Sequence, residues 1–106
     1  MTELETIAMQ VIIAGGNARS EAFQALRMAK QGNFAAAEEH LKASRVELSK
    51  AHDIQTELIQ NEADGRPIGL SLLMVHAQDH YMTAMSEQTL VTEMVELYRR
   101  LAAANN

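Results

Sequence analysis

At 106 residues with no cysteine, the chain is sized for one domain and has no route to a disulfide framework, a thiolate metal site or a nucleophilic thiol. An apolar fraction of 47% marks a globular chain, and with no Trp, two Phe and two Tyr that hydrophobicity rests on Ala, Leu, Ile and Met, which suits close helix packing better than a β-sandwich. A formal charge of −5 without clustered Lys and Arg excludes a phosphate-backbone binder, so no nucleic-acid partner is expected.

The acidic start, Met1-Thr2-Glu3-Leu4-Glu5, lacks the basic-then-apolar order of a signal peptide. No run of about 18 apolar residues is present to span a bilayer. A cytoplasmic protein without membrane insertion is the expectation.

The first periodic segment opens with Thr2 and Glu5 in capping-box spacing and places Leu4, Ile7, Ala8, Val11, Ile12, Ala18, Ala22, Ala25, Leu26 and Ala29 at helical intervals, ending near Gly32-Asn33. Gly15-Gly16 lies inside it. Two helix-interior glycines cost about 1 kcal/mol each relative to Ala, which predicts a kink or local break from Gly15 to Asn17, or close packing against a neighbour, or both.

The second segment starts after Asn33, an N-cap residue type, and carries Phe34, Ala37, Leu41, Ser44, Leu48, Ala51, Ile54 and Leu58 along one face, with Glu38, Glu39, Lys42, Arg45, Glu47 and Lys50 mostly opposite. His40 and His52 on this helix read as structural histidines, lacking carboxylate neighbours of the kind around His76 beyond Asp53. Asp64 to Gly69 is the clearest loop, and the third segment runs from Leu70 or Ser71 to about Ala103 without a breaker. The expected fold is all-α, an up-down-up bundle of three helices of about thirty residues forming a single domain over residues 1–106.

The third helix carries more apolar surface than two partners can cover. Tracing Leu72, Val75 or His76, Asp79, Met82 or Thr83, Ser86, Leu90, Glu93 and Leu97 gives spacings of three and four, as in a coiled-coil seam, and predicts a homo-oligomer built on this helix. Asp79 would then lie close to an oligomer axis. Converging carboxylates repel unless they are protonated or share a cation, and a hard divalent ion such as magnesium suits such oxygen ligands.

Within that seam, His76-Ala77-Gln78-Asp79-His80 sets two imidazoles and a carboxylate inside an apolar helix. Positions 76, 79, 80 and 83 share one helical face. Three uses fit: a phosphohistidine, a metal site, or a buried polar staple. The spacing of His76 and His80 also matches two ligands of a zinc helix, but the Glu that the HExxH protease motif needs after its first His is replaced by Ala77. An unperturbed imidazole titrates near about 6.5 and so offers a neutral nucleophilic nitrogen at cellular pH. Phosphoryl transfer is mostly positioning and charge stabilisation, for which Gln78 and His80 are candidate donors and a cation on Asp79 a candidate counter-charge.

The run from Leu72 to Met85 resembles the active-site helix of the lactose/cellobiose-type enzyme IIA proteins of the bacterial phosphoenolpyruvate-dependent sugar phosphotransferase system. The resemblance extends to Gly15-Gly16-Asn17-Ala18-Arg19-Ser20, to Gln31-Gly32-Asn33-Phe34 and to Ala51 through Ile59, so that it covers essentially the whole chain. It implies a homotrimer of three-helix protomers, a nine-helix bundle. In it His76 accepts phosphate on Nε2 from the phosphocarrier HPr and passes it to a cysteine of the IIB component. It further implies that Asp79 is shared by the three subunits to bind one metal ion, usually Mg2+. Tyr81 departs from the family, where many members carry Leu. The HAQDH run and Glu57 to Ala63 look more like the cellobiose, lichenan and chitobiose branch than the lactose branch.

Two other classes compete with that reading. A histidine-phosphotransfer signalling domain typically has Lys three residues after its His, where this chain has Asp79. A non-catalytic metal-binding helical bundle accounts for the seam but leaves Gln78 unused.

Overall fold

Three helices follow the three periodic segments: α1 spans Glu3–Lys30, α2 Phe34–Ala63 and α3 Leu72–Ala104. The computed structural model describes residues 1–66 and 68–105, and no strand occurs among the described residues. Pro67, part of the predicted loop, and Asn106, the last residue of the predicted domain, lie outside them.

Each helix begins where a short polar side chain closes it. Thr2 Oγ1 accepts from the Glu5 N–H at 3.1 Å, Asn33 Oδ1 from the Ala36 N–H at 3.2 Å, and Ser71 Oγ from the Met74 N–H at 3.1 Å. The last of these fixes the start of α3 at Leu72, just past the predicted position, and so sets the register of everything that α3 carries. α1 and α2 end on glycines in the left-handed region, Gly32 at φ +80° and Gly65 at φ +81°. There the Asn33 N–H bonds the Met28 carbonyl at 2.9 Å and the Arg66 N–H the Asn61 carbonyl at 2.8 Å, the six-to-one bond of a Schellman cap.

α1 is the middle element. It packs along its length on both α2 and α3, which meet each other far less. The sequence reason is its buried face, made of Ala8, Val11, Ala14, Gly15, Ala18, Ala22, Ala25 and Ala29, whose small side chains let two helix axes approach at once. The predicted break at Gly15 to Asn17 does not form, since α1 is one unbroken helix. The packing alternative accounts for the glycine instead: a Cβ on Gly15 would lie 3.2 Å from the His80 carbonyl oxygen and 3.3 Å from its carbon, so the backbone of α3 occupies the space that any side chain would fill. Gly16 faces open space within the protomer.

Two apolar clusters fill the bundle. One joins Val11 and Ala14 to Ala51, Leu58, Met74, Ala77 and Tyr81; the other joins Ala22 and Ala25 to Leu41, Val91 and Val95. Polar groups separate them. The fully buried Ser44 donates its hydroxyl to the Ala18 carbonyl at 2.7 Å, and the buried Gln88 donates to Thr92 Oγ1 at 3.2 Å. A buried hydroxyl of this kind requires its acceptor, which ties the pairing of α1 and α2 to one register.

The far end is fastened differently. Arg99 lies over the Phe34 ring with its guanidinium carbon 5.3 Å from the centroid, and one of its terminal N–H groups donates to Glu38 Oε1 at 2.7 Å, so α3 clips the start of α2.

The two glycines therefore respond oppositely to added side chains. Gly16→Ala removes an unfavourable helix-interior glycine and raises the melting temperature, by roughly 1 kcal/mol of stability. Gly15→Val drives a branched side chain into the His80 backbone and costs about 1–3 kcal/mol. Thermal unfolding followed by circular dichroism at equal protein concentration reads both, and a Gly15→Val protein as stable as the parent contradicts this packing.

Candidate functional site

The outward face of α3 separates from its core face by simple periodicity. Met74, Ala77, Tyr81, Ala84, Gln88, Val91 and Val95 point inward, while Leu72, Val75, Met82, Met85, Leu90, Met94, Leu97 and Leu101 remain exposed. The apolar excess predicted for this helix is thus real and lies on one side of the protomer. His76, Asp79 and Thr83 are exposed on α3, and His80 is half-buried beside α1.

His76 and His80 come together as a pair. Their Nε2 atoms are 3.1 Å apart, with ring centroids 4.5 Å apart and planes at 88°, so one ring presents a nitrogen edge to the other. A bond between two ring nitrogens needs one protonated and one bare Nε2. With His80 donating, His76 holds its proton on Nδ1 and its lone pair on Nε2. Asp79, one residue before His80, does not join them. Among the described residues no three His, Asp or Glu side chains gather to hold a metal ion, and the Asp79 carboxylate has no hydrogen bond or ion pair there. The zinc arrangement weighed from the spacing of the two histidines therefore lacks its third ligand within one protomer.

Gln78 stands away from the pair. Its amide donates to Met74 Sδ at 3.8 Å and lines a groove between α2, the connecting segment and α3 with Gln55, Ile59, Leu70 and Val75, so no hydrogen bond joins it to His76. Gln55 Oε1 in the same groove is buried with no partner among the described residues. On the other side of His76, Leu72 and Leu73 border an open apolar depression.

The two α2 histidines do have partners, and not the ones their sequence neighbours indicate. His40 Nδ1 lies 2.7 Å from Glu21 Oε2 on α1, a carboxylate nineteen positions away. His52 Nδ1 lies 3.1 Å from the Tyr81 hydroxyl, while Asp53 makes no contact with it. Both are cross-helix ties, which agrees with a structural role, and His40–Glu21 corrects the expectation that Asp53 was the one carboxylate neighbour of these histidines. Tyr81, the departure from the resembled family, buries its ring in the core and uses its hydroxyl to bridge α3 to α2.

Sequence reasoning passed over Arg19. Its Nε and one terminal nitrogen grip both oxygens of Glu87 at 2.6 and 2.9 Å, and the same terminal nitrogen donates to Thr83 Oγ1 at 2.9 Å. The available signal was that Arg19 is the first basic residue of the chain and lies four positions, one helical turn, after Gly15.

Because Tyr81 makes one of the few polar links between α2 and α3, Tyr81→Phe should lower stability by about 1 kcal/mol while keeping the ring in the core. Urea denaturation midpoints test this, and an unchanged midpoint would show that the His52 contact contributes nothing.

A family model described as the lactose/cellobiose-specific IIA subunit of the phosphotransferase system matches residues 6–99. Over 99 residues the chain is 50% identical to the lichenan-specific phosphotransferase enzyme IIA component of Bacillus subtilis strain 168, spanning 93% of this chain and 90% of that protein. The crystal structure of the cellobiose-specific enzyme IIA from Bacillus anthracis superposes with a TM-score of 0.94 at 46% identity, covering 97% of this chain and 94% of that one. A IIA component solved in solution in its complex with HPr, from the N,N'-diacetylchitobiose branch of the Escherichia coli system, superposes with a TM-score of 0.82 at 46% identity over 96% of this chain and 99% of that one.

Proposed function

The chain belongs to the lactose/cellobiose-specific IIA family of the phosphotransferase system, and from that premise we propose that it carries a phosphoryl group during sugar uptake. Phosphorylated HPr donates the group to His76, and the IIB component of a transporter for a cellobiose-class sugar receives it. The observation that carries this reading is the His76–His80 pair: an exposed imidazole whose Nε2 has a second imidazole nitrogen 3.1 Å away.

The chemistry follows from that pairing. In the Nδ1–H tautomer, His76 Nε2 attacks phosphorus along the line of the donor bond, and the bond to the donor breaks as the new P–N bond forms. The Nδ1 proton stays on the ring. His80, which held the lone pair of His76 by donating its own Nε2–H, turns that donor to a phosphoryl oxygen as the nitrogen becomes substituted. Gln78 is the second candidate donor, and to reach the phosphoryl oxygens it would have to leave Met74. Transfer onward reverses these steps, with the IIB cysteine sulfur taking phosphorus from His76.

Asp79 fits a metal role in one respect: its carboxylate is exposed and has no partner among the described residues, so it is available to a shared site. We propose that three protomers associate through the exposed apolar face of α3 and that their Asp79 carboxylates hold one Mg2+. The ion would offset carboxylate repulsion and the added negative charge of the phosphoryl group. Support comes from the unsatisfied apolar row of Leu72, Val75, Met82, Leu90, Leu97 and Leu101 around it. No helix among the described residues is long and apolar enough to cross a membrane, which accords with a carrier working in the cytoplasm beside its transporter.

Lichenan-, chitobiose- and cellobiose-specific components are among the relatives, as the HAQDH branch leads one to expect, together with a galactose-specific and an oligo-beta-mannoside-specific one. The cellobiose-class assignment rests on that similarity, since a phosphoryl carrier of this kind has no need to touch the sugar.

Two experiments test these points. Incubation with phosphoenolpyruvate, enzyme I and HPr should place an acid-labile phosphate on the protein, and His76→Gln should abolish it; a folded parent protein that takes no label overturns the carrier reading. Asp79→Leu should lose bound metal while sedimentation still reports the trimer, because apolar contact replaces converging charge. Dissociation of that variant to monomers would contradict an axial Asp79.

A further inference from the structure

α1 holds α3 at two points one helical turn apart. At the first, Gly15 lets α1 lie against the His80 backbone, close enough that a Cβ would be 3.2 Å from the His80 oxygen. At the second, Arg19 donates to Thr83 Oγ1 at 2.9 Å and to both oxygens of Glu87 at 2.6 and 2.9 Å. Thr83 then passes the contact back up its own helix, its hydroxyl donating to the Asp79 carbonyl at 2.8 Å.

A hydroxyl has one proton to give. Since Thr83 directs it at the Asp79 carbonyl, with the His80 carbonyl a longer second acceptor at 3.3 Å, it can only accept from Arg19, and the direction of the chain is fixed: guanidinium to hydroxyl to the backbone carbonyls at Asp79 and His80. Donation from a cation polarises the hydroxyl and strengthens its own bond to that carbonyl. Glu87 prevents the guanidinium from swinging away, because a two-point carboxylate grip leaves it one orientation. The fork geometry matters here, since a lysine would supply charge but not the two simultaneous directions.

We propose that Arg19 and Thr83 are positioning residues for the His76–His80 pair, setting the roll of the α3 turn so that the two Nε2 atoms meet. Neither touches the transferred group. Their effect is on the alignment of His80 with His76, to which a 3.1 Å nitrogen–nitrogen contact is sensitive. The inference builds on the reading of His76 as phosphoryl acceptor, and its test includes a measurement that does not require phosphoryl transfer.

Thr83→Val removes the hydroxyl at nearly constant shape, Thr83→Ser retains it, and Arg19→Gln removes the fork. In single-turnover uptake from phosphorylated HPr, Thr83→Val and Arg19→Gln should each slow transfer at saturating donor by about tenfold, with the half-saturating donor concentration unchanged and Thr83→Ser restoring most of the rate. Independently, imidazole 15N spectra at pH 8 should show one bare and one protonated Nε2 in the parent and in Thr83→Ser, and tautomer averaging at His76 in Thr83→Val. Parent-like spectra and rates in Thr83→Val overturn the proposal, as does a loss in Thr83→Ser equal to that in Thr83→Val. If Arg19→Gln fails to fold, the two Thr83 variants decide the matter. If the parent protein takes no phosphate at all, the carrier reading fails while the 15N comparison still judges the positioning.

Discussion

The structure depends on how closely α1 can approach two helices at once. Its stripe of Ala8, Ala14, Gly15, Ala18, Ala22, Ala25 and Ala29 has little side-chain volume, so α2 and α3 both pack closely against one thin rod and touch each other less. Tight packing of this kind gains dispersion contacts along the whole helix, yet leaves each partner with an uncovered side. On α2 that side is largely charged. On α3 it is apolar over most of its length, and there the chain places its imidazoles and Asp79. The geometry of α1 thus explains both why the core is made of alanine and why the chemically active helix keeps an apolar face exposed.

Polar groups divide the work of specifying this packing. Apolar contacts alone tolerate sliding of one helix along another, since alanine against alanine looks similar at every turn. Ser44 on the Ala18 carbonyl removes that freedom between α1 and α2, and the Arg19 fork on Glu87 removes it between α1 and α3. The half-exposed Arg19–Glu87 pair adds little net stability, because solvent screens it. Its value is directional, which is the property that a reacting pair of rings requires.

Much of this was legible in the sequence, for reasons that can be named. Helix periodicity, Asn33, the Gly32 and Gly65 stops and the His76 cluster are local signals, and local signals survive folding when the tertiary structure agrees with them. Arg19, Glu21 and Tyr81 were not legible, because each acts on a residue of another helix: Glu87 and Thr83, His40, and His52 respectively. Gly15 shows the limit most clearly. Propensity reads two adjacent glycines as a weak point in a helix, but propensity has no knowledge of the neighbour whose backbone fills the vacant volume, and the break it predicts is replaced by a close contact. Gln78 is a similar case, since two positions after His76 on a helix is a rotation of about 200°, which turns its side chain toward a different groove.

That α3 takes most of its packing from α1 and less from α2 has a consequence for the segment that joins α2 to α3. Ser71, the last residue of that connection, caps α3 and fixes where it starts, while the contacts at Gly15 and Arg19 hold the helix in place against α1. Lengthening such a connection costs only the slow logarithmic growth of loop-closure entropy, about 0.6 kcal/mol for a doubling. Extra residues placed ahead of Ile68, which packs on the core, and of the Ser71 cap would therefore add surface beside the histidines at little cost in stability.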